Sequence, residues 1–311
     1  MLFATTNPGS LVVPDRPSRT RATLPRKAQV QLALPKGRMH DGVVALLSEA
    51  GVGVSAPARS YRPRLSAKAF GAKLLKPRNI VEMLELGSRD LGFTGADWVA
   101  ELDADLVELL DTGLDPVRIV AAAPAALLRG GQLPRRRLVV ASEYERLTRR
   151  WIEGQGLDAV LLRSYGATEV FPPEDADLIV DNSATGATLE ENGLVACDEL
   201  MTSSTRLYAN RRALDDPAIA EPVEQLVLLL RSVLDARRRL MVELNVDESI
   251  LSDVVAVLPC MREPTIAPLL SGGGYAVKAA VPRTALPELV VELKARGATD
   301  IVVTKLTQVV A

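Results

Sequence analysis

The sequence predicts an α/β fold: two lobes built on mostly parallel sheet, followed by a smaller C-terminal domain of a different pattern. Short apolar runs alternate with amphipathic segments along the first two thirds of the chain, which indicates βαβ units. Hydrophobic residues make up 48% of the chain but aromatics only 4%, so we expect a core of aliphatic strands covered by helices. The 311 residues are enough for two or three domains, at roughly 150 residues each.

The elements of the two lobes follow from apolar runs, helical periodicity and Gly or Pro stops. The run 30–34 predicts the first strand, and Asp41 is expected to cap the helix that Gly51 ends. The stretch 122–134, rich in Pro and Gly, predicts a crossover between the lobes. The remaining predictions are strands over 90–95, 117–122, 137–141, 159–162 and 177–181, and helices over 79–86, 98–102 and 144–153.

The last third has a different order of elements. A long amphipathic helix is predicted from 217 to about 234. The segments after it have the order of a ferredoxin-like βαββαβ unit. They are a strand at 240–246, a helix at 248–258, strands at 266–270 and 275–281, a helix at 286–296 and a strand at 300–304.

Composition excludes several classes of protein. The net charge of −2 gives no basic excess for nucleic acid or a membrane surface. Two cysteines form neither a disulfide framework nor a metal cluster, and no apolar run reaches the roughly 20 residues that span a bilayer. We therefore expect a cytoplasmic protein with reduced thiols. Residues 1–27 hold one acid. They are interpreted as a disordered tail or an early start codon, with a transit peptide as the alternative.

The loop from Asp181 to Leu189, with sequence DNSATGATL, carries the most chemical information. It joins an apolar strand to a helix, where converging backbone N–H groups and the helix dipole favour phosphate. Gly186 permits a close approach, Thr185 and Thr188 add hydroxyl donors, and Asp181 can accept from a ribose diol. The plainer alternative is a strand-to-helix turn capped by Ser or Thr. The combination favours a phosphate site.

Four separated motifs resemble the ATP phosphoribosyltransferases of histidine biosynthesis, in the long form with a regulatory domain. They are LPKGR at 34–38, DLGFTG at 90–95, the 181–189 loop with Glu169 before its strand, and LPCMREPTI at 258–266. The resemblance runs from about Gln31 to Ala311. The family's loop is closer to DLVSTGATL, so Asn182-Ser183-Ala184 is a departure that leaves Asp181, Thr185, Gly186 and Thr188 in place.

The resemblance implies roles for named residues. Each group also has a structural alternative, such as a solvated turn at Lys36 and Arg38 or an N-cap at Asp97. Phosphoribosyl diphosphate (PRPP) would be bound by Asp181, Ser183, Thr185, Gly186, Ala187 and Thr188. Pyrophosphate release would depend on Lys36, Arg38 and Glu169, with the first two at the same sheet edge as the loop. ATP would contact Arg78, Gly95 and Asp97. Histidine, as inhibitor, would contact Glu263 and Thr265. The only histidine, His40, is expected to be exposed, and it cannot anchor a metal site alone.

The resemblance also implies an architecture and a reaction. Two lobes like those of type II periplasmic binding proteins, 28–122 with 207–230 and 123–206, would precede an ACT-like regulatory domain at 236–311. Adenine N1 of ATP would attack C1 of PRPP and release pyrophosphate, with Mg²⁺ on the diphosphate. Histidine would shift a hexamer, in equilibrium with dimers, towards lower activity.

Two alternatives remain open at the level of sequence. Purine or pyrimidine phosphoribosyltransferases have a similar loop but usually two adjacent acids before it, whereas Asn182 follows Asp181 here. A non-catalytic, ligand-sensing protein with two lobes is the second alternative. Lys36, Arg38 and the phosphate loop favour chemistry over sensing alone.

Overall fold

The structure is a computed structural model that describes residues 29–55, 60–270 and 272–310. The tail predicted over 1–27 lies outside these residues. No helix in the described part of the chain is both long and apolar enough to cross a membrane.

Strands and helices alternate along most of the described chain. The strands are β1 (Val30–Pro35), β2 (Val54–Ser55), β3 (Arg64–Leu65), β4 (Phe70–Leu75), β5 (Leu91–Gly95), β6 (Leu106–Pro124), β7 (Leu138–Ser142), β8 (Ala159–Arg163), β9 (Leu178–Ser183), β10 (Leu194–Asn210), β11 (Arg239–Asp247), β12 (Thr265–Pro268), β13 (Gly274–Pro282) and β14 (Thr299–Lys305). The helices are α1 (Met39–Glu49), α2 (Pro77–Glu85), α3 (Ala96–Leu102), α4 (Glu145–Gln155), α5 (Ala187–Glu191), α6 (Arg211–Leu214), α7 (Pro217–Arg237), α8 (Leu251–Val255) and α9 (Leu286–Ala295).

Eight of the described strands form one sheet in the order β4-β1-β5-β10-β6-β9-β7-β8. Its two flanks are parallel: β4, β1 and β5 form the first trio, and β9, β7 and β8 form the second. Between them, β6 and β10 pair antiparallel along nearly their whole length and form the central ribbon. The mixed sheet confirms the α/β class, although the ribbon makes the sheet less parallel than the sequence suggested.

The two trios run in opposite directions, and their carboxyl ends face each other. Each trio pairs antiparallel with the ribbon, β5 with β10 and β9 with β6. Gly95, at the end of β5, pairs with Thr205. Ser183, at the end of β9, pairs with Arg118, which pairs across the ribbon with Thr202. Functional loops of α/β sheets lie at the carboxyl ends of strands, so loops from both trios meet at the middle of the ribbon.

Several local expectations differ from the structure. Helix α1 begins at Met39 with Arg38 as the residue before it, and Asp41 lies inside its first turn without capping it. His40 is half-buried, and its Nδ1 lies 3.0 Å from the Pro35 carbonyl oxygen. Strand β6 begins eleven residues before the predicted start at 117, and β10 was missed. Register shifts in the ribbon explain this, because each shift breaks the alternation by which a strand is recognised.

Each trio packs its own apolar core. Helices α1 and α7 cover the first trio, with Leu46, Leu47 and Leu230 fully buried. Helix α4 contributes Trp151 to a second cluster that contains Leu138 and Leu178. The two flanks therefore have separate cores, and Trp98 from the first flank packs against the edge of the second.

The C-terminal segment forms a separate four-stranded antiparallel sheet in the order β12-β13-β11-β14. Its elements follow in the order strand, helix, strand, strand, helix, strand. Val242, Leu244, Val277 and Leu293 belong to a core cluster of its own. The first helix is shorter than the predicted 248–258, since a 3-10 turn at Glu248–Ile250 precedes α8.

Helices α3 and α4 join the two flanks through a buried carboxylate. Glu101 on α3 accepts the backbone N–H groups of Arg146 and Leu147 at 3.0 Å each. These are unsatisfied donors of the first turn of α4, so Glu101 caps that helix from another element. Asp103 adds a more exposed ion pair to Arg146 at 2.7 Å.

Replacing Glu101 by Ala is expected to lower the free energy of unfolding by about 1–3 kcal/mol, because two buried N–H groups lose their acceptor. Chemical denaturation measures the change. Glu153→Ala, at an exposed position of the capped helix α4, is the control and should change the free energy of unfolding by less than about 0.5 kcal/mol. Equal losses in both variants would contradict the capping role.

Candidate functional site

A small cleft of about 150 Å³ lies where the two flanks of the sheet meet. Arg38, which precedes α1, lines it from the first flank. From the second flank come Glu169, in the 3-10 turn Thr168–Val170, and the whole 181–189 loop. The expectation that Arg38 and this loop share one sheet edge was wrong. Two opposed edges bring them together, because the trios run in opposite directions.

The 181–189 loop turns at a glycine of positive φ and is followed by a short helix. Gly186 adopts φ +90°, a conformation that favours glycine, whereas a Cβ there would meet nothing within 4 Å. The glycine is therefore needed for its backbone angle rather than for space. Ser183 is buried, while Thr185 and Thr188 are exposed. Because α5 has only five residues, backbone N–H groups and hydroxyls must contribute more than a helix dipole.

Asp181 occupies an environment that disfavours its charge. Burial, the largest cause, raises the pKa of its carboxyl to about 6. The backbone N–H of Asn182 opposes this with a hydrogen bond of 2.7 Å, while the neighbouring charges of Glu143 and Glu169 raise the pKa further. The carboxylate is therefore desolvated and ready to accept a donor from a ligand.

Lys36 follows β1 and contacts an aromatic side chain that sequence reasoning did not select. Its Nζ lies 3.3 Å from the centre of the Tyr61 ring, a cation–π contact. Tyr61 itself is 59% exposed. The contact holds the ammonium at the carboxyl end of the first trio, beside the turn that leads to Arg38.

Asp97 is buried at the start of α3 and belongs to a polar network. The Tyr144 hydroxyl donates to its Oδ2 at 2.7 Å, and the Ser203 hydroxyl donates to its Oδ1 at 2.6 Å. Asp97 is not the N-cap of α3, since that position is Gly95. Burial, helped by the charge of Asp97, raises the pKa of Tyr144 far above its ordinary value, so the phenol stays protonated. Trp98 stacks on the Tyr144 ring at 4.9 Å.

Sequence reasoning missed Tyr144 and Ser203. Tyr144 was interpreted only as the start of a helix, and Ser203 lies in the strand that was not recognised. The run Ser203-Ser204-Thr205 gave a usable signal, because three consecutive hydroxyl residues are buried in the middle of β10. Buried hydroxyls need partners. Here they bond Asp97, Asp111 and Asp115 respectively.

Arg78 lies in the first turn of α2, outside the cleft of the 181–189 loop. Its guanidinium lies 5.8 Å from the centre of the Trp98 ring and 3.4 Å from Glu82. It lines a second cavity of about 460 Å³ with three arginines of α4. These are Arg146, Arg149 and Arg150. Trp98, stacked between Arg78 and Tyr144, connects this cavity to the Asp97 network.

In the C-terminal domain, Thr265 is the first residue of the edge strand β12 and Glu263 lies two residues before it. Both side chains are exposed. Within the described residues there is no group of three or more His, Cys, Asp or Glu side chains that could hold a metal ion. Both cysteines are free thiols, and burial raises the pKa of Cys197 and Cys260.

The sheet and the cleft define an α/β protein in which a hydroxyl-rich loop after one strand faces Arg38 on the opposite flank. Comparison with known proteins then identifies the family. A family model described as ATP phosphoribosyltransferase matches residues 76–232, and one described as the HisG C-terminal domain matches residues 236–308. This chain belongs to the ATP phosphoribosyltransferase family, in the long form.

Curated relatives support the assignment over most of the chain. The ATP phosphoribosyltransferase of Pelodictyon phaeoclathratiforme is 33% identical over 88% of this chain and 94% of its own length. The one of Chlorobium phaeovibrioides is 34% identical over the same shares. Both alternatives left open by the sequence, another phosphoribosyltransferase and a non-catalytic sensor, are less consistent with these matches.

A solved structure also matches. It is the ATP phosphoribosyl transferase (HisG:HisZ) complex from Thermotoga maritima, with 26% identity and a TM-score of 0.58. The match covers 99% of that chain but 65% of this one. About a third of the present chain therefore lies beyond the matched part.

Proposed function

We propose that the chain joins N1 of ATP to C1 of PRPP and releases pyrophosphate, the first step of histidine biosynthesis. The observation that carries the proposal is the cleft at which Arg38 meets the 181–189 loop. A doubly charged leaving group needs cationic contacts, and a pentose phosphate needs N–H and hydroxyl donors. The first wall of the cleft supplies the cationic contact, through Arg38, and the second wall supplies the N–H and hydroxyl donors of the 181–189 loop.

In this proposal Asp181 accepts hydrogen bonds from the ribose hydroxyls, and the loop from Ser183 to Thr188 binds the 5′-phosphate. Lys36 and Arg38 stabilise the charge that develops on pyrophosphate as the C1–O bond breaks. Glu169, across the cleft from Arg38, contacts the ribose or the adenine. No covalent intermediate is required, so positioning and electrostatics account for most of the catalysis.

ATP is proposed to bind on the side of the cleft nearest α3, where Gly95 and Asp97 end the first trio and Arg78 stacks near Trp98. The Arg78 cavity is lined by three further arginines and three glutamates. Its arginines would exchange their carboxylate partners for the triphosphate. The adenine would then lie towards the middle of the central ribbon, close to C1 of PRPP.

Mg²⁺ is proposed to enter as part of the substrate, bound to the diphosphate of PRPP. Mg²⁺ retains several waters and takes few carboxylates from proteins at phosphate sites. Glu169 lines the cleft, and its carboxylate oxygens suit the water shell of an ion that the substrate brings.

The direct test is pyrophosphate release from ATP, PRPP and Mg²⁺ by the purified chain. Release that depends on both substrates supports the proposal. Binding of histidine without any release would instead support a sensor.

Arg38→Ala is expected to lower kcat/KM for PRPP by about 100-fold, since a charge-assisted contact to the leaving group is lost. Steady-state kinetics with PRPP varied measures the loss. Arg231→Ala, an exposed arginine of α7, should leave the rate unchanged. If kcat/KM for PRPP were unchanged in both variants, Arg38 would not contact the leaving group.

The finer architecture is proposed on the same basis. The catalytic part would form two lobes of the type II periplasmic-binding-protein kind, 28–122 with 207–230 and 123–206, with an ACT-like domain at 236–311. Histidine would bind that domain near Glu263 and Thr265 and inhibit a cytoplasmic hexamer in equilibrium with dimers. Repeating the release assay with histidine, alongside sedimentation, tests both parts.

A further inference from the structure

Asn182 stands where the family's loop usually has leucine, directly after Asp181. An exposed polar residue here could be a neutral replacement. Its contacts indicate otherwise, because the side-chain amide donates to two different partners. Nδ2 lies 3.0 Å from Asp181 Oδ1 and 3.4 Å from the Tyr144 hydroxyl oxygen. A leucine at this position could make neither hydrogen bond.

We infer that Asn182 is a positioning residue that fixes the Asp181 carboxylate by tying it to the buried Tyr144–Asp97–Ser203 network. The inference rests on the proposed function, in which Asp181 accepts the ribose hydroxyls. It assigns a role to Asn182, a residue type that differs from the leucine usual at this position of the family's loop.

The direction of each hydrogen bond in this network is determined. Tyr144 is protonated and donates to Asp97, so its oxygen can only accept from Asn182. Ser203 donates to the other oxygen of Asp97. Asp97 is 3% exposed and Tyr144 is 1% exposed. The network therefore ends at a rigid interior anchor, and Asn182 connects that anchor to the loop.

The same geometry orients the Asp181 carboxylate. Both donors of Asn182, the backbone N–H at 2.7 Å and the amide at 3.0 Å, converge on Oδ1. Oδ2 receives neither of them, and the Thr168 hydroxyl is the remaining donor to this carboxylate. Rotation of the carboxylate would break two hydrogen bonds at once. Orientation of this kind contributes to catalysis by preorganising an acceptor.

The charge of Asp181 depends on groups from every neighbouring element. Burial, the largest cause, disfavours the carboxylate, as do Glu143 before α4 and Glu169 in the 3-10 turn, whereas the backbone N–H of Asn182 and the Thr168 hydroxyl favour it. Arg38 lines the same cleft from the first flank. Removing the Asn182 amide takes a donor from the charged form, so the pKa of Asp181 should rise further.

The test is a double-mutant cycle with Asn182→Leu and Tyr144→Phe. Asn182→Leu is expected to raise KM for PRPP about tenfold, to leave KM for ATP within twofold, and to move the acid limb of kcat/KM to higher pH. Tyr144→Phe should add little to the KM for PRPP once Asn182 is leucine, because the connection is already broken. Asn245→Leu is the matched control, since Asn245 also donates to a carboxylate, that of Asp300, in the C-terminal sheet.

A change in KM for PRPP below twofold, or fully additive effects of the two substitutions, would overturn the inference. Carbon-13 NMR of labelled aspartate, with Asp181→Asn to identify the signal, follows the pKa of Asp181 without turnover. A raised pKa in Asn182→Leu supports the positioning role even if the protein releases no pyrophosphate, and an unchanged pKa contradicts it. Absence of release from the unmodified chain overturns the proposed function instead.

Discussion

Asp181→Asn is expected to lower pyrophosphate release by at least about 100-fold and, at the same time, to make the protein more stable at pH 8. The activity falls because an amide cannot replace a carboxylate as acceptor for two ribose hydroxyls. The stability rises because the natural carboxylate is desolvated and lies near Glu143 and Glu169. A neutral side chain of the same shape avoids that cost.

The pH range of the stability gain follows from the pKa of Asp181, which is about 6 against an ordinary value of 3.8. An acid with a raised pKa binds its proton more tightly in the folded state. Its contribution to stability is therefore complete below about pH 3.8 and is lost as the pH rises through about 6. Asp181→Asn should gain about 1–3 kcal/mol above pH 7 and little below pH 4.

Thermal unfolding across pH 4 to 8, with release assays at each pH, measures both effects. Asp175→Asn, an exposed acid before the same strand, is the control and should show neither. Wild-type activity in Asp181→Asn would contradict the ribose contact. Loss of activity with loss of stability at pH 8 would contradict the electrostatic account.

Gly95→Ala, at the carboxyl end of β5, is expected to destabilise the protein strongly. A Cβ at Gly95 would overlap Asp97 Oδ1 and lie 3.2 Å from Met39 Cε. Asp97 would have to move, and the buried hydroxyls of Tyr144 and Ser203 would lose their acceptor. Buried donors without partners cost about 1–3 kcal/mol each, so we expect a loss of about 2–5 kcal/mol.

Urea denaturation measures this loss, and Gly154→Ala provides the matched control. Gly154 lies in α4, where an added Cβ meets nothing within 4 Å. Alanine there should stabilise the protein by about 0.5–1 kcal/mol, because it favours the helix. Equal effects at both positions would indicate that the close approach at Gly95 is relieved elsewhere.

Elements with local signals were predicted well from the sequence. Helix α7 was recognised because its apolar face recurs over 21 residues, and β9 because an apolar run precedes the loop. The 181–189 loop was selected for the same reason, since its hydroxyls, glycine and acid are contiguous. Asp181, Thr185 and Gly186 all line the cleft together.

Features that depend on distant parts of the chain could not be predicted. The pair Tyr144–Asp97 joins residues 47 positions apart, and Ser203–Asp97 joins residues 106 apart. The opposed orientation of the trios follows from the length of β6 and β10, whose bulges conceal their alternation. Because the full length of these two strands was not recognised in the sequence, Arg38 and the loop were assigned to one edge of the sheet and not to two facing walls.

The pairing of Gly95 with Thr205 and of Ser183, through Arg118, with Thr202 fixes how far apart the carboxyl ends of the two trios lie along the central ribbon. The two anchor points lie three positions apart on β10, which corresponds to about 10 Å along the strand. Backbone pairing, rather than loop length, therefore sets the span between the walls. Inserting one residue between 202 and 205 would lengthen that span by about 3.3 Å and turn the following side chains to the other face. The spacing of the two walls is thus set by strand register and does not depend on the sequence of the loops.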